Sequence, residues 1–200
     1  MKTNKSKIIA HAIELIAQKG YDAVSIRAIA GAVGIKESSF YNHFKSKEAL
    51  LQEIFRITEE NINNLRVGAD ELEKLCVDMT LREFLTFNLN RLIDEWHKPD
   101  ARNLWYVLSQ QQYKSKQAAL LILQQMEKSI ELFEVAFSYF MRAGKMHKGN
   151  AARLAELYGM SMHAAHLKAT YLIVVEDEQE FNFATMHSIL NEFVEQYTKK

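Results

Sequence analysis

The chain has one cysteine in 200 residues, so no internal disulfide framework can hold it together. That residue, Cys76, has apolar neighbours in Leu72, Leu75 and Met79 and reads as a small buried side chain. There is one proline, Pro99, and only seven glycines. Few points therefore exist at which a helix must break, and a nearly all-helical chain is expected. Leu172–Val175 is β-branched enough for a strand, but no second strand exists to pair with it. No uninterrupted apolar run approaches the roughly 18–20 residues that cross a bilayer. The apolar stretch Ile8–Ala17 contains His11 and Glu14 and is no signal-peptide core, so a cytoplasmic location is expected.

Net charge is also lacking, with 25 basic against 25 acidic side chains. The average conceals an asymmetry. Residues 1–50 hold eight Lys and Arg against Glu14, Asp22, Glu37 and Glu48, for a net +4, and the rest of the chain carries −4. A basic head on an acidic body suits a protein that offers only its head to a polyanion.

The most informative stretch is Ser25–Phe44, SIRAIAGAVGIKESSFYNHF. Ile26, Ile29, Ala30 and Val33 share one stripe at helical spacing. Ser25 is the expected N-cap of that helix, and Gly34 permits a sharp turn at positive φ. Phe40 and Phe44, four apart, lie on one face of a second helix. With those rings inward, Ser38, Asn42 and Lys45 point outward, flanked by Ser39 and Tyr41. This is the pattern of a helix-turn-helix whose second helix carries hydrogen-bonding groups suited to base edges and phosphates.

Residues 5–51 resemble the DNA-binding domain of the TetR (tetracycline repressor) family of transcriptional regulators. The likeness rests on Ile9–Ala17 followed by Lys19-Gly20-Tyr21, then Val24–Ala30, Val33-Gly34-Ile35, Ser39–Phe44 and Lys45–Leu50. It implies an all-α fold, with a helix-turn-helix DNA-binding domain over 1–50 and a helical ligand-binding and dimerisation domain over 51–200. The residues themselves place the clearest boundary at Val67-Gly68-Ala69.

For the DNA site, Ser25 can put a hydroxyl and helix-start N–H groups on a phosphate. Arg27 can reach a phosphate or a guanine edge. Lys36, Ser38, Ser39 and Asn42 are candidates for the major groove. The resemblance implies that Tyr41, His43 and Lys47 hold backbone phosphates. From the residues alone, Tyr41 has a packing role as its alternative, and His43 a turn-stabilising hydrogen bond. Glu37 is awkward, because a carboxylate repels phosphate. It either accepts from a cytosine amino group or simply favours the helix start.

The rest of the chain reads as helices. One runs from Lys47 to about Leu65, buried along Leu50, Leu51, Ile54, Phe55, Thr58 and Ile62. A short one or a frayed start spans Asp70–Met79. Thr80 and Glu83 form a capping box opening a helix to about Trp96. Others cover 100–113, 115–143, 150–175 (capped by Asn150) and 183–197, with an acidic link at Glu176–Glu180.

One recognition helix gives little specificity, so a homodimer is expected, with its two such helices about 34–36 Å apart on an operator of double-stranded DNA. The last two helices are the candidates for the dimer surface, through Leu154, Leu157, Tyr158, Ser161, Met162 and Ala165 on one and Met186, Ile189, Leu190 and Phe193 on the other. Their alternative is to cover the monomer core. The middle of the chain is rich in aromatic and Met side chains. Phe87, Arg91, Trp105, Met126 and Phe133 are the candidates for lining a pocket for a hydrophobic or amphipathic small molecule, with plain core packing as the alternative.

His163 and His166 are three apart on one helix, but no Cys or Glu completes a metal site. No cofactor is expected. Gly159-Met160-Ser161-Met162-His163 lacks the closing glycine of a nucleophile elbow, and no set of titratable groups suggests an enzyme. The family likeness implies a repressor released from a palindromic operator by a small-molecule inducer. The alternative keeps the DNA head and has no such inducer, with control by a protein partner or by expression level.

Overall fold

Local signals set most of the helix ends. In the computed structural model, which describes residues 4–64, 67–175 and 181–198, ten helices follow one another. These are α1 (Asn4–Lys19), α2 (Ile26–Val33), α3 (Glu37–Tyr41), α4 (Lys47–Asn64), α5 (Ala69–Asp78), α6 (Leu81–His97), α7 (Pro99–Gln111), α8 (Lys116–Arg142), α9 (Ala151–Val175) and α10 (Ala184–Tyr197). Among the described residues there is no strand, and Leu172 to Val175 complete α9. The expected link at 176–180 and the expected helix end at Leu65 lie outside the described residues.

The caps explain where the helices begin. Ser25 Oγ accepts from Ala28 N at 3.1 Å, Ser46 Oγ from Ala49 N at 3.1 Å, and Asn150 Oδ1 from Arg153 N at 3.0 Å. The capping box forms as expected. Thr80 N donates to Glu83 Oε2 at 2.8 Å, and Glu83 N donates back to Thr80 Oγ1 at 3.3 Å. These bonds from Thr80 hold the Glu83 carboxyl below its ordinary pKa. Gly20 ends α1 at φ +84°, and its N–H donates to Ile16 O. Pro99 occupies the first position of α7, where its missing N–H costs nothing.

The chain divides into two compact units, residues 1–66 with 95–123 and residues 67–94 with 124–200. The first differs from the 1–50 division because α4 and α7 both pack on α1. Its core gathers Ile8, Ala12 and Ile16 of α1 with Ile29, Phe40, Leu50, Ile54, Phe55, Val107 and Leu108, all fully buried. The centre of the α1 stripe is Ile8, while Ile9, Ile13 and Ala17 are half-buried at its margins. Gln110 Nε2 donates to Ala17 O at 3.1 Å, and Lys114 Nζ meets Asp22 Oδ2 at 2.6 Å, tying the end of α7 to that of α1. Glu53 joins Lys5 and Arg56 at 3.0 Å each.

The second unit is built on aromatic packing. Phe137 stacks on Phe193 and Phe133 with centroids 5.1 and 5.9 Å away, and Tyr158 meets Phe133 edge-on at 4.9 Å. Phe84 meets Phe140 at 5.5 Å. Gly159 lets α9 lie close to α8, since a Cβ there would meet Ile130 Cγ1 at 2.9 Å. Lys145 donates to the carbonyls of Cys76, Val77 and Met79 at 3.1, 2.6 and 2.8 Å, spending all three N–H groups on the end of α5. Burial pushes the Cys76 thiol up to about 11, partly opposed by Lys145, so it packs as an inert small apolar group.

Candidate nucleic-acid interface

The site is a corner made by two short helices. The Ser25 side chain fixes the start of α2. At its end Gly34 adopts φ +76°, ψ +31°, the left-handed conformation that lets the chain reverse at once into α3. Ile35 N donates to Ala30 O at 2.9 Å across the turn. Helix α3 has only five residues, too few to persist alone. It is held by Phe40, whose ring is fully buried and lies 5.8 Å from that of Phe44. With those two rings inward, Ser38, Tyr41, Asn42, His43 and Lys45 are exposed and Ser39 is half-buried. The helix stops at Tyr41, so Asn42 caps it and His43 to Lys45 belong to the following turn rather than to the helix face.

The remaining candidates fall into place around this corner. Ser25 is exposed, and its oxygen already serves the helix cap, which leaves the hydroxyl free to act as a donor. Lys36 occupies the N-cap position of α3 and is exposed. Arg27 and Glu37, each in the first turn of its helix, face one another across the turn, with Arg27 Nε 3.4 Å from Glu37 Oε2. Sequence spacing gave no reason to couple residues on two different helices, although their opposite charges were a signal. Glu37 does stand in the first turn of α3, as its helix-start reading required.

Lys47 has a different role from a freely exposed cation. Its Nζ donates to Tyr21 O and Val24 O, each at 2.8 Å, and sits 4.1 Å from the centre of the Tyr21 ring. It ties the start of α4 to the link between α1 and α2, leaving at most one N–H for a phosphate. The Tyr21 hydroxyl is raised above its ordinary pKa, first by burial and then by Glu48 and Asp22.

The body candidates are distributed over both units. Phe87 and Arg91 are neighbours on α6, the guanidinium 5.5 Å from the ring centre. Phe133 is packed among Phe137 and Tyr158, Met126 is half-buried on α8, and Trp105 is half-buried on α7 in the other unit. An open groove of about 520 Å³ runs along α8 and the start of α9, but Glu127, Glu131, Glu134 and Glu156 line it and none of these five candidates does.

The candidate dimer set also separates. Tyr158, Ala165, Met186 and Leu190 are buried within their own unit and are withdrawn from the interface, because their contacts are already made inside one chain. Leu154, Met162, Ile189 and Phe193 are half-buried, and Leu157 and Ser161 are exposed. His163 and His166 share a face of α9, but among the described residues no three His, Cys, Asp or Glu side chains converge as a metal site would require. No helix among the described residues is long and apolar enough to cross a membrane.

A capped helix, a left-handed glycine and a second helix with its polar side outward define a helix-turn-helix protein of the DNA-binding class. Residues 8–54 match the family model for bacterial regulatory proteins of the tetR family. Residues 8–54 are thus a DNA-binding domain of the tetR type. It is 35% identical over 81 residues to IcaR of Staphylococcus aureus, the HTH-type negative transcriptional regulator of the biofilm operon icaADBC, covering 40% of this chain and 43% of IcaR. The chain thus spans less than half the length of the curated relatives it matches. Over nearly its whole length the fold is that of a Saccharomonospora viridis protein solved in complex with choline, with a TM-score of 0.71 at 18% identity and 98% of each chain covered. It is also that of SmeT in its triclosan complex, with a TM-score of 0.66 at 16% identity, covering 100% of this chain and 93% of SmeT.

Proposed function

We propose that the chain is a cytoplasmic transcriptional repressor that binds a palindromic operator as a homodimer through residues 1–50, and that residues 51–200 carry dimerisation and the response to a hydrophobic or amphipathic ligand. The observation that carries the DNA reading is the corner itself. The buried Phe40 and Phe44 present Ser38, Tyr41, Asn42 and His43 on the exposed side of α3 and its following turn, beside exposed Lys36 and Lys45. Base contacts fall to Ser38, Ser39 and Asn42, with phosphate contacts from Ser25, Tyr41 and His43. The IcaR likeness supports the repressing sign. The choline and triclosan complexes of proteins with this fold support a small-molecule inducer. A ligand of that kind acts only through its difference in affinity between the DNA-competent and DNA-incompetent states.

The test is fluorescence-polarisation binding to the duplex immediately upstream of the protein's own coding region, at several salt concentrations and against a panel of hydrophobic cations, acyl compounds and antibiotics. Tight binding that weakens steeply with salt is expected, as phosphate contacts release counterions. Asn42→Ala should narrow the gap between that duplex and a scrambled one by about ten-fold, the worth of about one base contact. If affinity for both duplexes falls together, Asn42 touches phosphate instead.

A second reading, a regulator of this type without an inducer, is favoured by one observation. Phe133 is engaged in ring packing with Phe137 and Tyr158. Release of the duplex by one compound class selects the first reading, and indifference to the whole panel selects the second.

The dimer surface is assigned to the exposed face of α9. Leu157, Met160, Tyr171 and Val175 are exposed there, on one side of the helix at three- and four-residue steps through Ala164 and Lys168. Leu157→Glu is expected to convert a dimer to a monomer in sedimentation and to weaken operator binding with it. A dimer of unchanged mass would move the interface to another face.

A further inference from the structure

We infer that Glu37 is a positioning residue that aims Arg27 at a single guanine in each half-site. The inference deepens the DNA-binding reading above and rests on it. Arg27 is 87% exposed on the first turn of α2, and Glu37 is at the first position of α3. They meet through Nε of the guanidinium and Oε2 of the carboxylate, 3.4 Å apart. No partner among the described residues takes Nη1 or Nη2, so the two outer nitrogens keep their N–H groups for a ligand.

That division of donors has a chemical consequence. An arginine that binds phosphate draws on its charge as well as its forked donors, and a carboxylate beside it offsets much of that charge. What the pair retains is direction. The paired Nε orients the plane of the guanidinium, and the Nη groups form the two-pronged donor that matches O6 and N7 of guanine. A carboxylate close to a polyanion is unfavourable unless a cation or a donor faces it, and Arg27 supplies both. In solvent the pair is loose, at a distance longer than a strong charge-assisted bond. Exclusion of water in a groove strengthens such a contact.

The alternatives predict different things. If Glu37 read a base directly, it would accept from a cytosine amino group, and its loss would change a position that Arg27 does not control. If it served only the helix end, its loss would leave sequence preference unaltered. If Arg27 were a phosphate ligand, its loss would weaken all duplexes alike.

Sites are selected from a random duplex library by the full-length protein and by Arg27→Ala, Glu37→Ala, Glu37→Gln and the double alanine variant. Affinities are then measured for the selected duplex and for copies with each G·C pair changed in turn. Both side chains are solvent-facing, so the variants retain the fold. The expected result is one guanine in each half-site whose preference, worth about ten-fold, is lost in Arg27→Ala and in Glu37→Ala alike. The double variant is no worse than either single one. Glu37→Gln, which keeps an oxygen for Nε, retains most of the preference.

Retention of that guanine in Glu37→Ala overturns the inference. So does a change confined to a cytosine elsewhere, or losses that multiply in the double variant. If the wild-type protein enriches no sequence, the DNA-binding reading itself fails. Enrichment by the wild type with independent Arg27 and Glu37 effects leaves that reading intact and removes only the positioning role.

Discussion

Phe40→Ala is expected to abolish operator binding and to destabilise the unit of residues 1–66 and 95–123 by about 3–5 kcal/mol, the usual range for deleting a buried aromatic ring. The ring is fully buried and meets both Tyr41 and Phe44, at 5.7 and 5.8 Å. Helix α3 is five residues long, and its N-cap position, Lys36, makes no side-chain capping bond. Nothing local holds it, so its order comes from the anchor beneath it. Removing the anchor leaves Ser38, Tyr41 and Asn42 without a defined position, and the loss of binding should exceed what the loss of any one of them would cause. Phe40→Leu refills most of the space and is expected to cost less than half as much. The two tryptophans, Trp96 and Trp105, both lie in this unit. Denaturant unfolding followed by tryptophan fluorescence therefore reads it without interference from the other. An unchanged midpoint in Phe40→Ala would show that α3 is held by something else.

The same helix marks the limit of what local pattern can reveal. Ser25, Gly34, the Thr80–Glu83 pair and Asn150 were legible because a cap or a left-handed turn is decided within a few residues. The inward Phe40 and Phe44 were legible because four-residue spacing puts them on one side. Their spacing also implied a longer α3, and the helix instead ends at Tyr41, with Phe44 reaching the core from a turn. The roles of Lys47 and Lys145 were not legible. Each ammonium seeks main-chain oxygens on a distant segment, and sequence does not record where carbonyls converge. The dimer candidates failed in part for a related reason. A stripe of Tyr158, Ala165, Met186 and Leu190 says that a surface is covered, not whether its own chain or a partner covers it. The side opposite that stripe, with Leu157 and Met160 exposed, was the more informative one.

Acidification should loosen α9 well before carboxylates protonate elsewhere. His166 is buried, and its ring lies 5.2 Å from that of Phe181. Burial, reinforced by the neighbouring His163, lowers its pKa to about 4 from the ordinary 6.5. Burial shifts His163 in the same direction. The folded state thus prefers the neutral ring, while the unfolded chain takes up a proton near pH 6.5. Above that pH neither state binds the proton, and His166 gives stability no pH dependence. Between pH 6.5 and about 4 the unfolded state binds more protons, so stability falls as pH falls. A difference of this size amounts to about 3 kcal/mol once both states are protonated, and to about 2 kcal/mol by pH 5. His166→Leu, which cannot take up the proton, should flatten the pH dependence in that window while leaving stability at pH 7 within about 1.5 kcal/mol of wild type. Hydrogen-exchange protection of α9 amides, corrected for the intrinsic rate at each pH, gives the measurement. Protection that falls between pH 6.5 and 4.5 in the wild type and not in His166→Leu is the expected result. Equal pH dependence in both proteins would mean that His166 is charged in the folded state or that another group governs the loss, and the tight burial of its ring would then have no consequence for acid stability.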